Sequence, residues 1–439
     1  MRKAAQGAYR GFEIEGRRPR KVVTLPSRHD PSESMRLTYY VRCRGDILAV
    51  AKRIARDETT GSWVGKGKPT AIFERSQADV ESVEVYAENE GIITIRSPIL
   101  NMDMEGDLLY QFLMLAIGGP ILEFVYYDRV AFLDFELPEK LLRRFPGPKF
   151  GIRGTRKLLA LPDGVPVIGT IMKPCAGLTD REVARKAYEA AAGGVRFLKD
   201  DEKMLSPRYC PFERKVRRVV DALKRAADET GQNCLYAPQL CAGPATIRER
   251  ALRAIELGAT GIMFNVLVAG LPVLAMLAAD GEIRVPIYVH SGGRTGLSTG
   301  PRRVDDVVIA KLVRLCGGDY FQIGVMNMKE CLYTSLFPSL LLRLNAVFTE
   351  KLGRMRDTVS VTAGGLSVHN MMHQLEAFGA DFMALAGSAI LNHPDGPRAG
   401  VDAMLAVVEA WRKKVPLGEY AKGHPALGKA LGAESFYAK

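Results

Sequence analysis

The chain has 439 residues, 47% of them apolar and 25% charged, which is too long for one hydrophobic core and contains no apolar run long enough to span a bilayer. Its formal charge of +12 comes from basic residues mostly interspersed with acids, so it speaks for an anionic small-molecule substrate and against a nucleic-acid or membrane partner. The seven cysteines are scattered without a CxxC pair and Met1–Ala5 lacks a secretory pattern, so reduced thiols and a cytoplasmic location are expected.

Residues 1–34 read as a basic leader, with Arg17, Arg18, Arg20 and Lys21 in a solvated tail that carries no aromatic interleaving. A mixed pattern follows over 35–142: an alternating strand from Leu37 to Cys43, a helix from Asp46 to Asp57 and strands at Val83–Tyr86 and Ile92–Ile95. A helix at Leu108–Ile117 and a strand at Val130–Phe135 complete it. That pattern describes a small α+β domain. The stretch from Phe145 to Gly151 contains two prolines and two glycines that break any regular element, and it marks a boundary with a second domain over 143–439.

In the second domain, short β-rich runs begin near Val165, Arg196, Leu235, Gly261, Ile287, Tyr320, Val359 and Asp381. Amphipathic helical stretches such as Thr179–Ala192 and Phe212–Thr230 alternate with them, and Thr179-Asp-Arg-Glu182 opens the first as a capping box. Eight βα units of this length close most simply into a TIM barrel, followed by a C-terminal helical tail. An open doubly wound sheet would more often carry a glycine fingerprint where this chain has Lys173-Pro174.

Active sites of such barrels sit at the C-terminal ends of the strands, so the residues there form a shortlist: Lys173, Lys199, Asp200, Asp201, Glu202, His290, Arg294 and Lys329. Gly364-Gly365 and Gly387-Ser388 end strands seven and eight, where exposed N–H groups can cradle a phosphate; each pair could equally be a plain tight turn. Asp201 and Glu202 stand together and suit a hard cation such as Mg²⁺. An ammonium has no lone pair for a metal, so Lys199 could ligate only after its charge is removed, for example as a carbamate formed with CO₂. The competing reading is a Lys–Asp ion pair beside a helix N-cap. Arg294 likewise could grip a carboxylate or be an exposed loop arginine.

Gly169-Thr-Ile-Met-Lys-Pro174, Gly193-Gly-Val-Arg-Phe-Leu-Lys-Asp-Asp-Glu202 and the Phe145–Ile152 junction resemble, in order and spacing, motifs of the RuBisCO large chain. The resemblance runs from about Leu37 to Ala410. It implies an α/β fold with a C-terminal TIM (β/α)8 barrel preceded by a smaller α+β ferredoxin-like domain. It also implies Mg²⁺ held by Asp201, Glu202 and a carbamylated Lys199, with Lys173, Lys199, His290 and Lys329 catalytic. Asp57–Trp63 looks like the family stretch that reaches into a neighbouring subunit's barrel, which implies a homodimer or an assembly of dimers with shared active sites.

Several departures from the family pattern fall on one of the two phosphate subsites. Cys175 replaces a lysine, Ser291 an arginine, Gln322 a histidine, Ala363 a serine and Asp57 a glutamate, and Gly119 stands where a metal-site asparagine is expected. The other subsite is retained through Ser62, Trp63, Gly364, Gly365, Gly387 and Ser388, which implies a singly phosphorylated substrate and a RuBisCO-like protein of the form IV class. Such proteins form a Mg-stabilised enolate, either by proton removal or by loss of CO₂. Arg294 and the bare Gly119 favour a decarboxylase or transcarboxylase/hydrolase of 3-oxo-isoapionate 4-phosphate. Alternatives are an enolase or isomerase of methylthio-pentose phosphates in sulfur salvage, a true ribulose-bisphosphate carboxylase, and a non-catalytic regulatory homologue.

Overall fold

The structure, a computed structural model, describes residues 14, 16–326 and 338–433. It divides into two units: one is formed by the residues up to Phe145 together with Gly293–Leu312, the other by Pro146–Gly292 and Val313–Lys439.

The first unit is built on a six-stranded sheet ordered β1-β3-β4-β2-β5-β11. Its strands, numbered along the chain, are β1 (Lys21–Thr24), β2 (Ser34–Cys43), β3 (Asp79–Ala87), β4 (Glu90–Pro98), β5 (Tyr127–Glu136) and β11 (Arg302–Val304). Along β2 the alternation buries Leu37, Tyr39 and Val41 completely. Helix α1 (Ile47–Asp57) starts where the Asp46 carboxylate accepts the Ala49 N–H at 2.8 Å, and it presents Ile47, Val50, Ala51 and Ile54 as one apolar stripe. Helix α2 (Leu108–Ile117) packs Phe112 against Phe135 of β5, with ring centroids 4.7 Å apart.

Two expectations are corrected here. The basic leader is not a tail throughout: Val22 and Val23 put β1 into the sheet antiparallel to β3, and Arg17 grips Glu90 with two hydrogen bonds of 2.9 and 2.8 Å. Nor is 143–439 one continuous domain. Residues 293–312 join the first unit, because β11 pairs in parallel with the open edge of β5, Arg302 facing Val130. A three-residue strand leaves no periodic signal, so the excursion is invisible in the sequence. The boundary itself lies at Phe145–Pro146, three residues beyond the expected one.

Glu58, at the end of α1, is buried. Its Oε1 accepts the Ile121 N–H at 2.8 Å, while Oε2 fills the space beside Gly119, only 2.4 Å from where a Cβ on that residue would stand. Burial raises its pKa from the usual 4.5 to about 7, the Ile121 hydrogen bond opposing the shift only in part. The folded state therefore binds this proton more tightly than the unfolded chain does, so the stabilisation is complete below pH 4.5 and lost as pH rises through 7. Glu58→Gln removes that loss, and above pH 7 the variant is expected to be up to about 2–3 kcal/mol more stable than the wild type. Denaturant melts at pH 5 and pH 8 check this; equal pH dependence in the two proteins would disprove it.

The second unit is the barrel. Strands β6 (Val167–Ile171), β7 (Phe197–Lys199), β8 (Leu235–Ala237), β9 (Ile262–Asn265), β10 (Ile287–His290), β12 (Tyr320–Gln322), β13 (Val359–Ala363) and β14 (Met383–Leu385) are all parallel and follow one another in cyclic chain order. The last gap closes by a bridge between Gln239 and Met263. The expected starts of all eight strands fall within two residues of those observed.

Helices α3 (Asp180–Ala192), α4 (Phe212–Thr230), α5 (Ile247–Glu256), α6 (Leu271–Ala279), α7 (Pro338–Thr349), α8 (Val368–Phe378) and α9 (Pro397–Lys413) form the outer layer, and α10 (Pro425–Gly432) follows as the tail. The Thr179/Glu182 capping box that opens α3 is present. Inside, Phe197, Tyr288 and Tyr320 stack and tilt at 5.3–6.4 Å among Val167, Leu235, Met263, Val361 and Met383. Asp319 accepts the N–H groups of Phe150, Gly151 and Ile287, which ties the junction segment to the barrel. Among the described residues no helix is long and apolar enough to cross a membrane, and six cysteines are free thiols.

Candidate active site

At the C-terminal end of the barrel strands a cavity of about 390 Å³ is lined by Lys173, Asp201, Glu202, Gln322, Gly364, Gly365, Gly387 and Ser388, among others. These come from the ends of β6, β7, β12, β13 and β14. Seven of the residues expected from the sequence (Lys173, Asp201, Glu202, Gly364, Gly365 and the Gly387-Ser388 pair) therefore share one pocket.

Lys173 Nζ is paired with Asp201 Oδ2. Burial works against the lysine charge, but the hydrogen bond and the charge of Asp201 win, so its pKa lies above the usual value; for Asp201 burial is likewise outweighed, and its pKa lies below. Lys173 is thereby held as an ammonium, which makes it a donor and a positive charge in the pocket rather than a free base.

Lys199 is fully buried at the end of β7, where strand alternation turns it into the barrel interior. Its Nζ donates to the Asp200 carbonyl at 2.9 Å and lies 5.3 Å from the centre of the Tyr288 ring. Burial pushes its pKa down from 10.5 to about 8, against the pull of Glu202 and Asp201. The neutral amine needed for reaction with CO₂ is thus populated near physiological pH.

His290, at the end of β10, accepts the Gly292 N–H on Nδ1 at 3.1 Å, so a neutral ring carries its proton on Nε2, which stands 3.4 Å from Glu202 Oε2. Gly292 is required here, since a Cβ would come within 2.7 Å of the imidazole Cε1.

Two elements hold the acidic turn. Gln239 Nε2 donates to the Glu202 carbonyl at 3.1 Å, and the Asp200 carboxylate accepts from Tyr236 Oη at 2.9 Å, from the Gln239 N–H at 3.1 Å and from Lys215 Nζ. Asp200 thus faces away from the pocket while Asp201 and Glu202 face it. Lys215 on α4, Tyr236 on β8 and Gln239 just beyond that strand carry no signal of this role in the sequence.

Among the described residues no group of three His, Cys, Asp or Glu side chains is arranged to hold a metal. Two carboxylates with Lys173 and Lys199 beside them still fit Mg²⁺, which binds through one or two carboxylates and retains other oxygens, provided the third protein ligand is a CO₂-modified Lys199.

Both glycine pairs line the cavity. Gly364 and Gly365 have φ of +90° and +96°, and a Cβ on Gly387 would stand in ordinary contact with Lys173 Cγ, 3.5 Å away. Among the described residues Gly365, Gly387 and Ser388 donate no backbone hydrogen bond outside regular elements, leaving N–H groups for an anion.

Other expected residues are not among those that line the cavity. Arg294 is 4% exposed and ion-paired to Asp306 at 2.8 Å within the first unit, so the expectation of a substrate-gripping arginine is not supported: its fork is engaged by protein. Ser62 and Trp63 are in the first unit, where the Trp63 ring meets Phe73 edge-on at 5.1 Å and Val64 is 91% exposed. Lys329 lies outside the described residues. Of the departures, Ser291 Oγ donates to the Gln322 carbonyl at 2.9 Å and Tyr288 Oη to Gln322 Oε1 at 3.0 Å.

Comparison with known proteins accords with this arrangement. Residues 151–434, more than half of the chain, match the family described as ribulose bisphosphate carboxylase large chain, catalytic domain. The chain is 31% identical over 390 residues to the ribulose bisphosphate carboxylase of Pyrococcus horikoshii, covering 87% of each chain. It is 30% identical over 409 residues to the 2,3-diketo-5-methylthiopentyl-1-phosphate enolase of Bacillus velezensis, covering 90% of this chain and 96% of the relative. A rubisco-like protein from Alicyclobacillus acidocaldarius superposes with a TM-score of 0.81 at 30% identity, over 92% of this chain and 99% of the other. An eight-stranded parallel barrel carrying Lys-Asp-Asp-Glu at the end of its second strand, with these relatives, makes the chain a member of the RuBisCO large-chain family, on the side of the RuBisCO-like proteins.

Proposed function

We propose that the protein is an enzyme that turns over a singly phosphorylated keto sugar or sugar acid through an enolate, acting as a decarboxylase or transcarboxylase/hydrolase of 3-oxo-isoapionate 4-phosphate. The observation that carries the reading is the shared pocket, with two carboxylates and Lys173 at one end and the N–H-bearing glycines beside them. Gly364, Gly365, Gly387 and Ser388 bind the phosphate, and Lys173 places a positive charge next to it. Mg²⁺, when bound by Asp201, Glu202 and a carbamylated Lys199, supplies positive charge to the substrate oxygen that becomes anionic.

Loss of CO₂ from a β-keto acid reaches an enolate without a base, whereas proton removal needs one. Asp201 holds Lys173 as an ammonium, and Gly119 offers no side chain, so the first route asks less of the residues present. His290 holds a proton on Nε2 toward Glu202 and can donate a hydrogen bond from it to an enolate oxygen. The same reading includes a homodimer, in which the Asp57–Trp63 stretch meets a second copy, within the cytoplasm.

The similarity to the methylthiopentyl phosphate enolase favours a second reading, proton abstraction from a diketo phosphate in sulfur salvage. A true carboxylase needs a second phosphate subsite, and the hydrogen bonds of Ser291 and Gln322 speak against one. The convergence of Lys173, Lys199, Asp201 and Glu202 speaks against a non-catalytic homologue. The test is an assay with Mg²⁺ and bicarbonate. CO₂ release from 3-oxo-isoapionate 4-phosphate is the expected result, while turnover confined to the diketo methylthio substrate would transfer the assignment to the enolase reading.

A further inference from the structure

The pocket does not end at its glycines. Its lining continues with the apolar Leu366, Val368, Ala389 and Pro394 among the polar Asn392 and His393, and it includes Ala430 and Ala433 of the C-terminal tail. None of the eight βα units needs that tail to close the barrel. We propose that α10 is a functional wall of the substrate pocket, and that Ala430 and Ala433 are specificity-determining residues that set how long a phosphate ester the site admits.

The wall is held in a defined place. Leu427 of α10 is completely buried, and Ala430, three residues on, lies on the same face of the helix. His393 fixes the helix to the loop after β14: its Nδ1 accepts the Asp395 N–H at 3.1 Å, so Nε2 carries the proton and donates it to the Ala426 carbonyl at 3.0 Å. An ion pair of 2.8 Å between Lys429 and Asp395 joins the same loop, though both partners are half exposed and contribute little. His393 and Pro394 line the pocket as well, so one short loop both holds the helix and shapes the cavity that the helix closes.

Small side chains at 430 and 433 leave that end of the cavity open to a ligand. A larger side chain at either position would take up volume away from Lys173, Asp201 and Glu202. Selection by length then follows from geometry: inorganic phosphate needs only the glycine N–H groups, whereas a longer ester must also fit between them and the tail. This wall rests on the reading of the pocket as a phosphate-ester site.

The test measures binding of inorganic phosphate, glycerol 3-phosphate and ribulose 5-phosphate to the full chain by calorimetry, with Mg²⁺ and bicarbonate present. Ala430→Leu is expected to weaken ribulose 5-phosphate at least tenfold and inorganic phosphate less than twofold. Ala433→Leu, at an exposed position past the helix end, should show the same ordering by ester length and decides the matter if Ala430→Leu does not fold. A leucine variant that folds and binds ribulose 5-phosphate within twofold of the wild type would overturn the wall alone. A wild-type chain that binds none of the three ligands would overturn the phosphate reading and the wall together.

Discussion

Replacing Lys199 with alanine is expected to abolish the effect of bicarbonate on Mg²⁺ affinity and to reduce turnover by at least about 100-fold. The amine is fully buried, donates only to a backbone carbonyl among the hydrogen bonds seen, and has its pKa pushed to about 8 by desolvation. Only the neutral amine can attack CO₂. Its fraction grows about tenfold per pH unit below 8 and levels off above, so activation of the wild type by bicarbonate should follow the same curve. The alanine variant loses a buried cation that is costly to desolvate, so its fold should persist, and circular dichroism would establish this. Titration of both proteins with Mg²⁺, with and without bicarbonate and between pH 6 and 9, checks the claim. An alanine variant that still answers to bicarbonate would remove Lys199 from the site, whatever the substrate proves to be.

Much of this site was legible because strand ends are fixed points in a barrel. Once eight β-rich runs are recognised, the residue after each is confined to one mouth, so Lys173, Asp201, Glu202 and the glycine pairs could be gathered from sequence alone. What was not legible depended on side-chain direction and on contacts distant along the chain. Arg294 has the composition of a substrate ligand, yet it folds back onto Asp306, and nothing in a Gly-rich segment indicates which way a guanidinium turns. Lys215 looks like one more basic residue on an amphipathic helix and is instead the buried partner of Asp200. The tail helix lies outside the barrel repeat, so Ala430 carried no sign that it meets the pocket.

Lys215 also supports the largest stability prediction. Lys215→Met is expected to cost about 3–5 kcal/mol, because it leaves the Asp200 carboxylate buried without its counter-charge. Both groups have essentially no exposure, so neither solvent nor salt can substitute. Tyr236 and Gln239 would still donate to Asp200, but two neutral hydrogen bonds do not replace an ammonium. The effect should extend to function. Asp200 precedes Asp201 and supplies the carbonyl that holds Lys199, so a carboxylate turning toward water would move all three expected ligands. The double variant Lys215→Met with Asp200→Asn removes the charge together with its partner and is expected to recover most of the lost stability, since an amide can still accept from Tyr236. Urea melts of the wild type, both single variants and the double variant measure this coupling. A Lys215→Met protein as stable as the wild type would mean that Asp200 takes up a proton instead, and the acidic turn would then owe its position to Tyr236 and Gln239 alone.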